Sequence, residues 1–346
     1  MTQNNSNSHN REGRRRYRDH TIGNHFFQFI GFVLRHKRAN VIILLSNVAA
    51  VLIIAFLPHI IASFYGGTIP DFSFGAAGDW GCNTSTKITV NSMKSISPQV
   101  ILGLGDYSYN TTADCWLYSV QPIYEKMKIA IGNHDDTTPS KLHKYMNFFN
   151  LTNEYYSFNR ENVHFLALST ESPVEASSQQ FNFAQDDLSK ASSNESINWI
   201  VVYFHKPMYT SPSVHAAEKA FRDLYHPLFD KFGVDLVLYG HNHNYQRTYP
   251  LEYNVSNPSR PVIAEASKDL YNESTMNNSQ SKHPIFLTVG TAGKSLHPIH
   301  RQSPFIVYQY EGFGFLDVLV TDDGHAMKGV FHANDGTMRD RFTIEK

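Results

Sequence analysis

The chain has 346 residues, of which 41% are hydrophobic and 13% aromatic, enough for one large domain or two small ones with a real core. Its formal net charge of -1 excludes a uniformly basic protein, although residues 1–40 hold eight Lys or Arg against two acidic residues. This basic tail alone is compatible with nucleic acid, but the segments that follow it favour a membrane surface, and we expect no nucleic-acid partner.

An apolar segment follows the tail. Residues 41–57 are apolar except for Ser46 and Asn47, and no charged residue occurs between Arg38 and Asp71. This length suffices for a transmembrane helix, which needs ~20 mostly apolar residues. The Arg-rich flank predicts a single-pass protein with residues 1–40 as a cytoplasmic tail, a signal anchor at residues 41–65 and an extracytoplasmic domain at residues 71–346. The alternative is a cleaved signal peptide and a secreted product, but its basic region would be unusually long.

Two features agree with an extracytoplasmic domain and a glycoprotein. The first is a set of Asn-x-Ser/Thr sequons downstream of the anchor, some of which are expected by chance. The second is the pair Cys82 and Cys115, which could form a disulfide or remain two thiols. The sequons begin at Asn83, Asn110, Asn150, Asn194, Asn254, Asn272 and Asn277.

From residue 71 onward, strand-like and helix-like segments alternate. Strands are predicted at 72–78, 100–105, 128–132, 155–158, 163–169, 199–204, 234–239, 285–289, 314–320 and 327–332. Helices are predicted at 85–97, 115–124, 141–149, 180–191 and 216–232, and residues 264–282 read as a polar surface loop. The alternation predicts an α/β fold, and the strand-rich later half favours a mixed sheet or two stacked sheets.

Five apolar runs end in residues that bind metals or phosphate. In open α/β sheets, functional side chains gather at the carboxyl ends of the strands. One such ending is often a turn or a helix cap, but five in order indicate a functional site. The endings are Gly78-Asp79-Trp80-Gly81, Gly105-Asp106-Tyr107-Ser108-Tyr109, Gly132-Asn133-His134-Asp135, His205, and Gly240-His241-Asn242-His243.

The donor types and their number indicate the kind of site. Carboxylate, amide oxygen, imidazole and phenol suit hard or borderline metals, and the absence of thiolate argues against a structural zinc site. There are too many donors for one ion, but they fit two ions if one carboxylate bridges them. Two ions ~3.5–4 Å apart can clamp the attacking and leaving oxygens of a phosphoryl displacement. The predicted metal ligands are Asp79, Asp106, Tyr109, Asn133, His205, His241 and His243.

The order and spacing of these motifs resemble the purple acid phosphatases, within the calcineurin-like metallophosphoesterases, over roughly residues 71–346. The resemblance implies a β-sandwich of two mixed sheets flanked by helices. Many members of the wider superfamily have Asp-x-His as the first motif, whereas this chain has Gly81 at the third position. Tyr109 can replace the missing ligand, as in the purple subgroup, where a tyrosinate binds ferric iron.

Carried over by position, the resemblance implies that Asp106 bridges two metal ions. One is Fe(III), held by Asp79, Asp106, Tyr109 and His243; the other is divalent iron, zinc or manganese, held by Asp106, Asn133, His205 and His241. His134 would act as a proton donor and His215 would contact substrate. We interpret His226, His297 and His300 as surface or packing positions. We expect no β-sandwich domain of the plant type before residue 71, because those residues read as a tail and an anchor.

The sequence therefore predicts a membrane-anchored acid phosphatase that hydrolyses a phosphorylated small molecule or protein. Two alternatives stay open: a phosphodiesterase or nucleotide pyrophosphatase at the same site, and a non-catalytic surface binding protein. The presence of Tyr109 with Gly81 favours the phosphatase over the diesterase. A binding protein is expected to have lost metal ligands, and no ligand position is lost here.

Overall fold

A computed structural model of the protein describes residues 71–272 and 282–346. Its helices are α1 (Thr84–Ile96), α2 (Asp114–Ser119), α3 (Pro139–Phe148), α4 (Gln179–Ser192) and α5 (Lys219–Phe232), with a 3-10 turn at Tyr124–Lys126. Its strands are β1 (Phe72–Ala77), β2 (Val100–Gly103), β3 (Met127–Ile129), β4 (Tyr156–Arg160), β5 (Val163–Ala167), β6 (Trp199–Tyr203), β7 (Leu236–Tyr239), β8 (Tyr245–Glu252), β9 (Val262–Ile263), β10 (Leu270–Asn272), β11 (Ile285–Val289), β12 (Ile306–Tyr310), β13 (Gly314–Thr321), β14 (Ala326–Ala333) and β15 (Met338–Glu345).

The strands form two mixed sheets. Sheet I has the order β10-β15-β14-β13-β1-β2-β3, and sheet II has the order β12-β8-β11-β7-β6-β5-β4, with β9 paired to β8. Strands β1, β2 and β3 run parallel in sheet I, and β5, β6, β7 and β11 run parallel in sheet II. The predicted α/β architecture of two mixed sheets with flanking helices is therefore confirmed.

Three apolar clusters fill the layers. The central one includes Phe74 of sheet I and Val201 of sheet II. A second cluster packs α4 and α5 onto the outer face of sheet II, and a third packs α1, α2 and α3 near the end of β1. The long buried runs of the parallel strands arise because both faces of each sheet are covered.

A buried ion pair joins the two sheets across the central layer. Arg247 of β8 donates from Nε to Asp340 Oδ2 at 2.7 Å and from Nη2 to Asp340 Oδ1 at 2.8 Å. The Tyr245 hydroxyl donates to the same carboxylate at 2.7 Å. Each charge is thus paired and hydrogen-bonded, the condition under which burial of an ion pair is tolerated.

The structure differs from the sequence prediction in its later strands. Strands β8, β12 and β15 were not predicted. The predicted loop over residues 264–282 contains β10, which pairs with β15 and buries Tyr271. Their polar and charged residues hide the strand pattern, because burial here depends on partners such as Asp340 that only the tertiary fold supplies. Residues 273–281 of that loop lie outside the described residues.

The predicted anchor at residues 41–65 and the predicted tail at residues 1–40 also lie outside the described residues. Within residues 71–272 and 282–346, no helix combines the length and apolar character that a membrane span requires.

Candidate metal centre

The site is built where the carboxyl ends of the two parallel strand groups meet. The backbone N–H of Gly78, after β1, donates to the carbonyl of Val289 at the end of β11, at 2.8 Å. This bond ties the end of a sheet I strand to the end of a sheet II strand, so side chains from both sheets converge. The residues just beyond the strand ends are Asp79 after β1, Asp106 after β2, Asn133 after β3, His205 after β6 and His241 after β7.

One group of donors surrounds the phenol of Tyr109. Its hydroxyl lies 3.1 Å from Asp79 Oδ1, 3.3 Å from Asp106 Oδ2 and 3.1 Å from His243 Nε2. His243 Nε2 is also 3.3 Å from Asp79 Oδ1. Three predicted ligands of the first metal therefore surround the hydroxyl of the fourth, Tyr109.

A second group forms on the other side of Asp106. Asp106, His205 and His241 each offer a ligand atom, and these atoms all lie within 4.8 Å of one another. His205 Nε2 is 3.3 Å from Asp106 Oδ2 and 3.2 Å from His241 Nδ1. Asp106 belongs to both groups, the position expected of a bridging carboxylate.

Asn133 supplies an independent test of whether these residues fit a metal. Its Oδ1 is buried and has no hydrogen-bond partner among the described residues. Buried polar atoms are almost always paired, so an orphaned acceptor needs an explanation. The residues on either side of Asn133 contact Asp106 Oδ1: the His134 N–H donates to it at 2.8 Å, and a Cβ on Gly132 would clash with it. The chain on both sides of Asn133 thus lies next to the shared carboxylate, and we expect a cation bound there to satisfy the orphaned oxygen.

Three of the candidate ligands have an unusual backbone. Asp79, Asp106 and His241 have φ values of 59°, 56° and 69°. Non-glycine residues rarely adopt this left-handed region, and such strain clusters at functional sites. Backbone hydrogen bonds hold the conformation, since the N–H of Asp79 donates to Gly105 O at 3.1 Å and the N–H of His241 donates to Asp79 Oδ2 at 2.8 Å.

The imidazoles of two ligands are oriented by backbone carbonyls. His205 Nδ1 is 2.8 Å from Leu104 O, and His243 Nδ1 is 2.6 Å from Ser295 O. A carbonyl only accepts, so each Nδ1 carries a proton, and each Nε2 faces the carboxylates and can bind a metal once it is deprotonated. This arrangement is the usual support of a metal-bound histidine.

The electrostatics of the site favour a cation. Burial lowers the pKa of His205, but the carboxylates of Asp106 and Asp79 outweigh it and raise that pKa to about 10. Burial and the nearby charge of His205 lower the pKa of His241 to about 3, so this ring is neutral and free to bind. Burial and the carboxylates of Asp79 and Asp106 raise the pKa of Tyr109. The carboxylates thus hold a proton on His205 that a metal cation displaces on binding.

The two predicted substrate-contacting histidines lie next to these ligands. The half-buried ring of His134 has its centroid 4.4 Å from that of Tyr109. The ring of His215 stacks on His241 at 3.9 Å, and its backbone N–H donates to Asn242 Oδ1 at 3.0 Å. The structure therefore brings both residues to the donor cluster.

Asp135 belongs to the motif Gly132–Asp135, but the sequence alone assigns it no role. The structure shows that it supports the site. Its buried carboxylate accepts the backbone N–H groups of Asp106 at 2.7 Å, Tyr107 at 2.9 Å and Gly132 at 3.0 Å. Burial and the charge of Asp106 raise the pKa of Asp135 to about 8. The carboxylate fixes the loops after β2 and β3 relative to each other, so Asp106 and Asn133 keep their positions.

Lys141 was missed because nothing in its sequence context marks it. Its ammonium donates to the carbonyls of Ser108, of Asn110 at 2.9 Å and of His134 at 2.6 Å. It ties the segment that carries Tyr109 to the segment that carries His134.

His297, which we interpret from the sequence as a surface or packing position, packs directly against a candidate ligand. Its ring stacks on His243 at 3.7 Å and lies 5.2 Å from His215. Lys294, three residues earlier, places its ammonium 4.1 Å from the centre of the Tyr109 ring. A loop histidine outside any motif gave no signal, because its contact with the site depends on a return of the chain after β11.

Gly81, which stands where many members of the superfamily have a histidine ligand, has a backbone conformation that favours glycine. Gly81 has φ +70, where any side chain is strained, and a Cβ there would lie 3.9 Å from the Cα of Lys294. A histidine at this position would need a strained backbone, whereas Tyr109 reaches Asp79 without one.

The structure shows that the two cysteines are bonded to each other. Cys82 and Cys115 form a disulfide that links the loop after Asp79 to the start of α2. The bond connects the two segments that carry Asp79 and Tyr109.

Comparison with known proteins gives a family match over the part of the chain that contains the site. The family model of the calcineurin-like phosphoesterases matches residues 72–245, which contain all the candidate ligands. Purple acid phosphatase 1 of Ipomoea batatas is 27% identical over 66% of this chain and 51% of its own length. Phosphoenolpyruvate phosphatase of Allium cepa is 26% identical over 64% of this chain and 49% of its own length. The chain thus spans about half the length of these curated relatives.

Solved structures show the same fold. The purple acid phosphatase PPD1 from yellow lupin (Lupinus luteus) seeds has a TM-score of 0.69 at 20% identity, covering 80% of this chain and 54% of that one. GAP50, the anchor in the inner membrane complex of Plasmodium, has a TM-score of 0.59 at 15% identity, covering 80% and 89%. At these identities the likeness concerns the fold alone. Because the family model covers half of the sequence and contains every candidate ligand, the chain belongs to the calcineurin-like phosphoesterase family.

Proposed function

We propose that this protein is an acid phosphatase that hydrolyses phosphomonoesters at a dinuclear Fe(III)–M(II) centre, with M being iron, zinc or manganese. The observation that carries the proposal is the position of Asp106 between two donor groups, one containing Tyr109 and the other His205 and His241. The curated relatives named as phosphatases support it.

Tyr109 supports the choice of a trivalent ion at the first position. Its hydroxyl lies among Asp79, Asp106 and His243, and burial together with the two carboxylates raises its pKa. A phenol in such surroundings loses its proton only to a strongly polarising cation. Asp79, Asp106, Tyr109 and His243 would therefore hold Fe(III), and Asp106, Asn133, His205 and His241 would hold the divalent ion.

When bound, the two ions would supply Lewis acidity that neutralises charge developing on the phosphoryl oxygens. The chain's own residues do the remaining work. His134 and His215 lie against the ligand rings of Tyr109 and His241, so each can donate a hydrogen bond to a phosphoryl oxygen. His134 can also deliver a proton to the leaving oxygen, and a positioned acid is worth ~10²–10⁴-fold in rate.

The experiment is phosphate release by the metal-loaded full-length protein from a monoester and a diester across roughly pH 4 to 9. We expect a monoester preference with an acidic optimum, and loss of activity and of bound metal in Asp106→Asn. A diester preference, or full activity in Asp106→Asn, would contradict the proposal. Turnover of neither ester by the metal-bound protein would favour a binding protein.

We also propose that the catalytic domain, residues 71–346, is extracytoplasmic, glycosylated and anchored in the membrane by residues 41–65, with residues 1–40 in the cytoplasm. The support is the uncharged apolar segment with its basic flank, the sequons, and the Cys82–Cys115 disulfide, a bond typical of oxidising compartments. Protease treatment of intact cells should release a soluble active fragment. Protection of the domain from the protease, with the cells intact, would contradict this topology.

A further inference from the structure

A loop after β11 carries two nitrogen groups that the proposed reaction does not use, and both lie beside the donor cluster. The loop is residues 292–297, and its two groups are the ammonium of Lys294 and the imidazole of His297. Lys294 Nζ lies 4.1 Å from the centre of the Tyr109 ring, and the His297 ring stacks on His243 at 3.7 Å. Both therefore contact candidate ligands of the same metal position.

The loop is fixed rather than free to adapt. The N–H of Ala292 donates to Gly78 O at 2.9 Å, the N–H of Lys294 donates to Asp79 O at 2.9 Å, and the N–H of His297 donates to His243 O at 3.0 Å. A Cβ on Gly293 would clash with Thr86, so this residue can approach the end of β1 only as glycine. Groups on such a loop are pre-organised, which lowers the entropic cost of binding a ligand.

The proton on His297 can be placed from its hydrogen bond. The backbone N–H of His243 donates to His297 Nδ1 at 3.1 Å, so Nδ1 is an acceptor and the proton of the neutral ring is on Nε2. No residue in the described ranges accepts a hydrogen bond from this Nε2–H. The ring therefore offers one unused donor next to His215, 5.2 Å away between ring centres.

The Lys294 ammonium is likewise without an anionic partner. Within residues 71–272 and 282–346, the ammonium contacts the face of the Tyr109 ring, and no carboxylate pairs with it. A cation over an aromatic ring gains less than a charge-assisted hydrogen bond to an anion can provide. A half-buried cation without a counter-ion beside a phosphoryl site is suited to an anion that arrives with the substrate.

We propose that Lys294 and His297 form a subsite for a second anionic group of the substrate, a carboxylate or a further phosphoryl group. The preferred substrates are then phosphomonoesters that carry another negative charge close to the ester. The inference rests on the proposed phosphatase activity and deepens it, because it names the class of monoester that the site selects. Lys294 supplies the charge, and His297 supplies a directional hydrogen bond.

The test compares matched aryl phosphates with the metal-loaded full-length protein: meta-carboxyphenyl, meta-phosphonophenyl and the uncharged meta-carbamoylphenyl phosphate. The carboxyl and phosphono substrates distinguish the two kinds of second anion. The preference is the kcat/KM of each charged substrate divided by that of the uncharged one. We expect the wild type to prefer at least one charged substrate, and Lys294→Met to lower this preference about tenfold, mainly through KM. Lys294→Arg should retain most of it.

Two histidine variants separate the subsite from the support of His243. In His297→Asn, the amide oxygen can still accept the His243 N–H, but the outer donor is lost; in His297→Gln, an outer donor is kept and the inner acceptor is lost. The preference should fall in the Asn variant and persist in the Gln variant. Lys231→Met is the matched control, because Lys231 also stands over an aromatic ring, 4.9 Å from the centre of Phe232, on helix α5.

The possible outcomes separate failure of the subsite from failure of the proposed phosphatase activity. An unchanged preference in Lys294→Met, with normal turnover of the uncharged substrate, would overturn the subsite and leave the phosphatase proposal standing. The same holds if the wild type shows no preference. Loss of bound metal in Lys294→Met with the preference intact would assign this lysine to the support of Tyr109 instead. Turnover of none of the three substrates would overturn both proposals.

Discussion

Replacement of Asp135 by alanine should damage both stability and metal retention. The buried carboxylate accepts three backbone N–H groups, those of Asp106, Tyr107 and Gly132. A lost hydrogen bond costs about 1 kcal/mol, and a buried donor left unsatisfied costs about 1–3 kcal/mol. Because the three donors share one carboxylate, their contributions are not additive, and we expect a loss of about 3 kcal/mol or more in the free energy of unfolding.

The assay is urea unfolding of the metal-free protein, followed by metal analysis of the reloaded protein. Asp230→Ala is the matched control: Asp230 is a largely buried carboxylate whose Oδ2 accepts the Tyr253 N–H at 2.8 Å, far from the donor cluster in the chain. Both variants should be destabilised, but only Asp135→Ala should also lose metal. If Asp135→Ala unfolds at the wild-type urea concentration and retains its metal, our account of how the loops after β2 and β3 are held is wrong.

The fold supplies two further predictions. Asp340→Ala leaves the Arg247 guanidinium buried without the carboxylate that it binds. We expect this to lower the free energy of unfolding in urea by about 3–5 kcal/mol, with the metal content of the folded protein unchanged. A loss below about 0.5 kcal/mol would contradict the role of the pair. Burial raises the pKa of Asp317 from 3.8 to about 6, so its contribution to stability is fully present below pH 3.8 and is lost as the pH rises through about 6. Asp317→Asn should remove this pH dependence and raise the free energy of unfolding at neutral pH by about 1 kcal/mol, a value reduced for solvent screening. A variant that is less stable than the wild type at neutral pH would refute this prediction.

The sequence identified the polar residues that the structure brings together, but it missed several of the strands around them. Asp79, Asp106 and His241 could be found because each follows an apolar run, and parallel strands bring such endings to one edge. Their left-handed backbone could not be found, because nothing in the sequence distinguishes a strained Asp from one that caps a helix. Two of these backbone conformations depend on hydrogen bonds that only the folded chain provides, to Gly105 O and to Asp79 Oδ2.

The residues that were missed act through contacts distant in the chain. Lys141 lies 33 residues from Ser108, whose carbonyl it binds, and His297 lies 54 residues from His243. Neither stands in a motif, so composition and spacing carry no sign of its role. Strands β8 and β15 were missed for a similar reason, because Arg247 and Asp340 resemble surface residues until each is seen to neutralise the other.

The most direct test of the central claim is the metal content and visible spectrum of the full-length protein, measured for the wild type and for Tyr109→Phe. We predict two metal ions per chain, at least one of them iron, and a visible absorption band that Tyr109→Phe abolishes. A colourless wild-type protein with bound iron, or a band that persists in Tyr109→Phe, would contradict the assignment of Tyr109 as a metal ligand. A protein that binds a single ion would contradict the bridging role of Asp106.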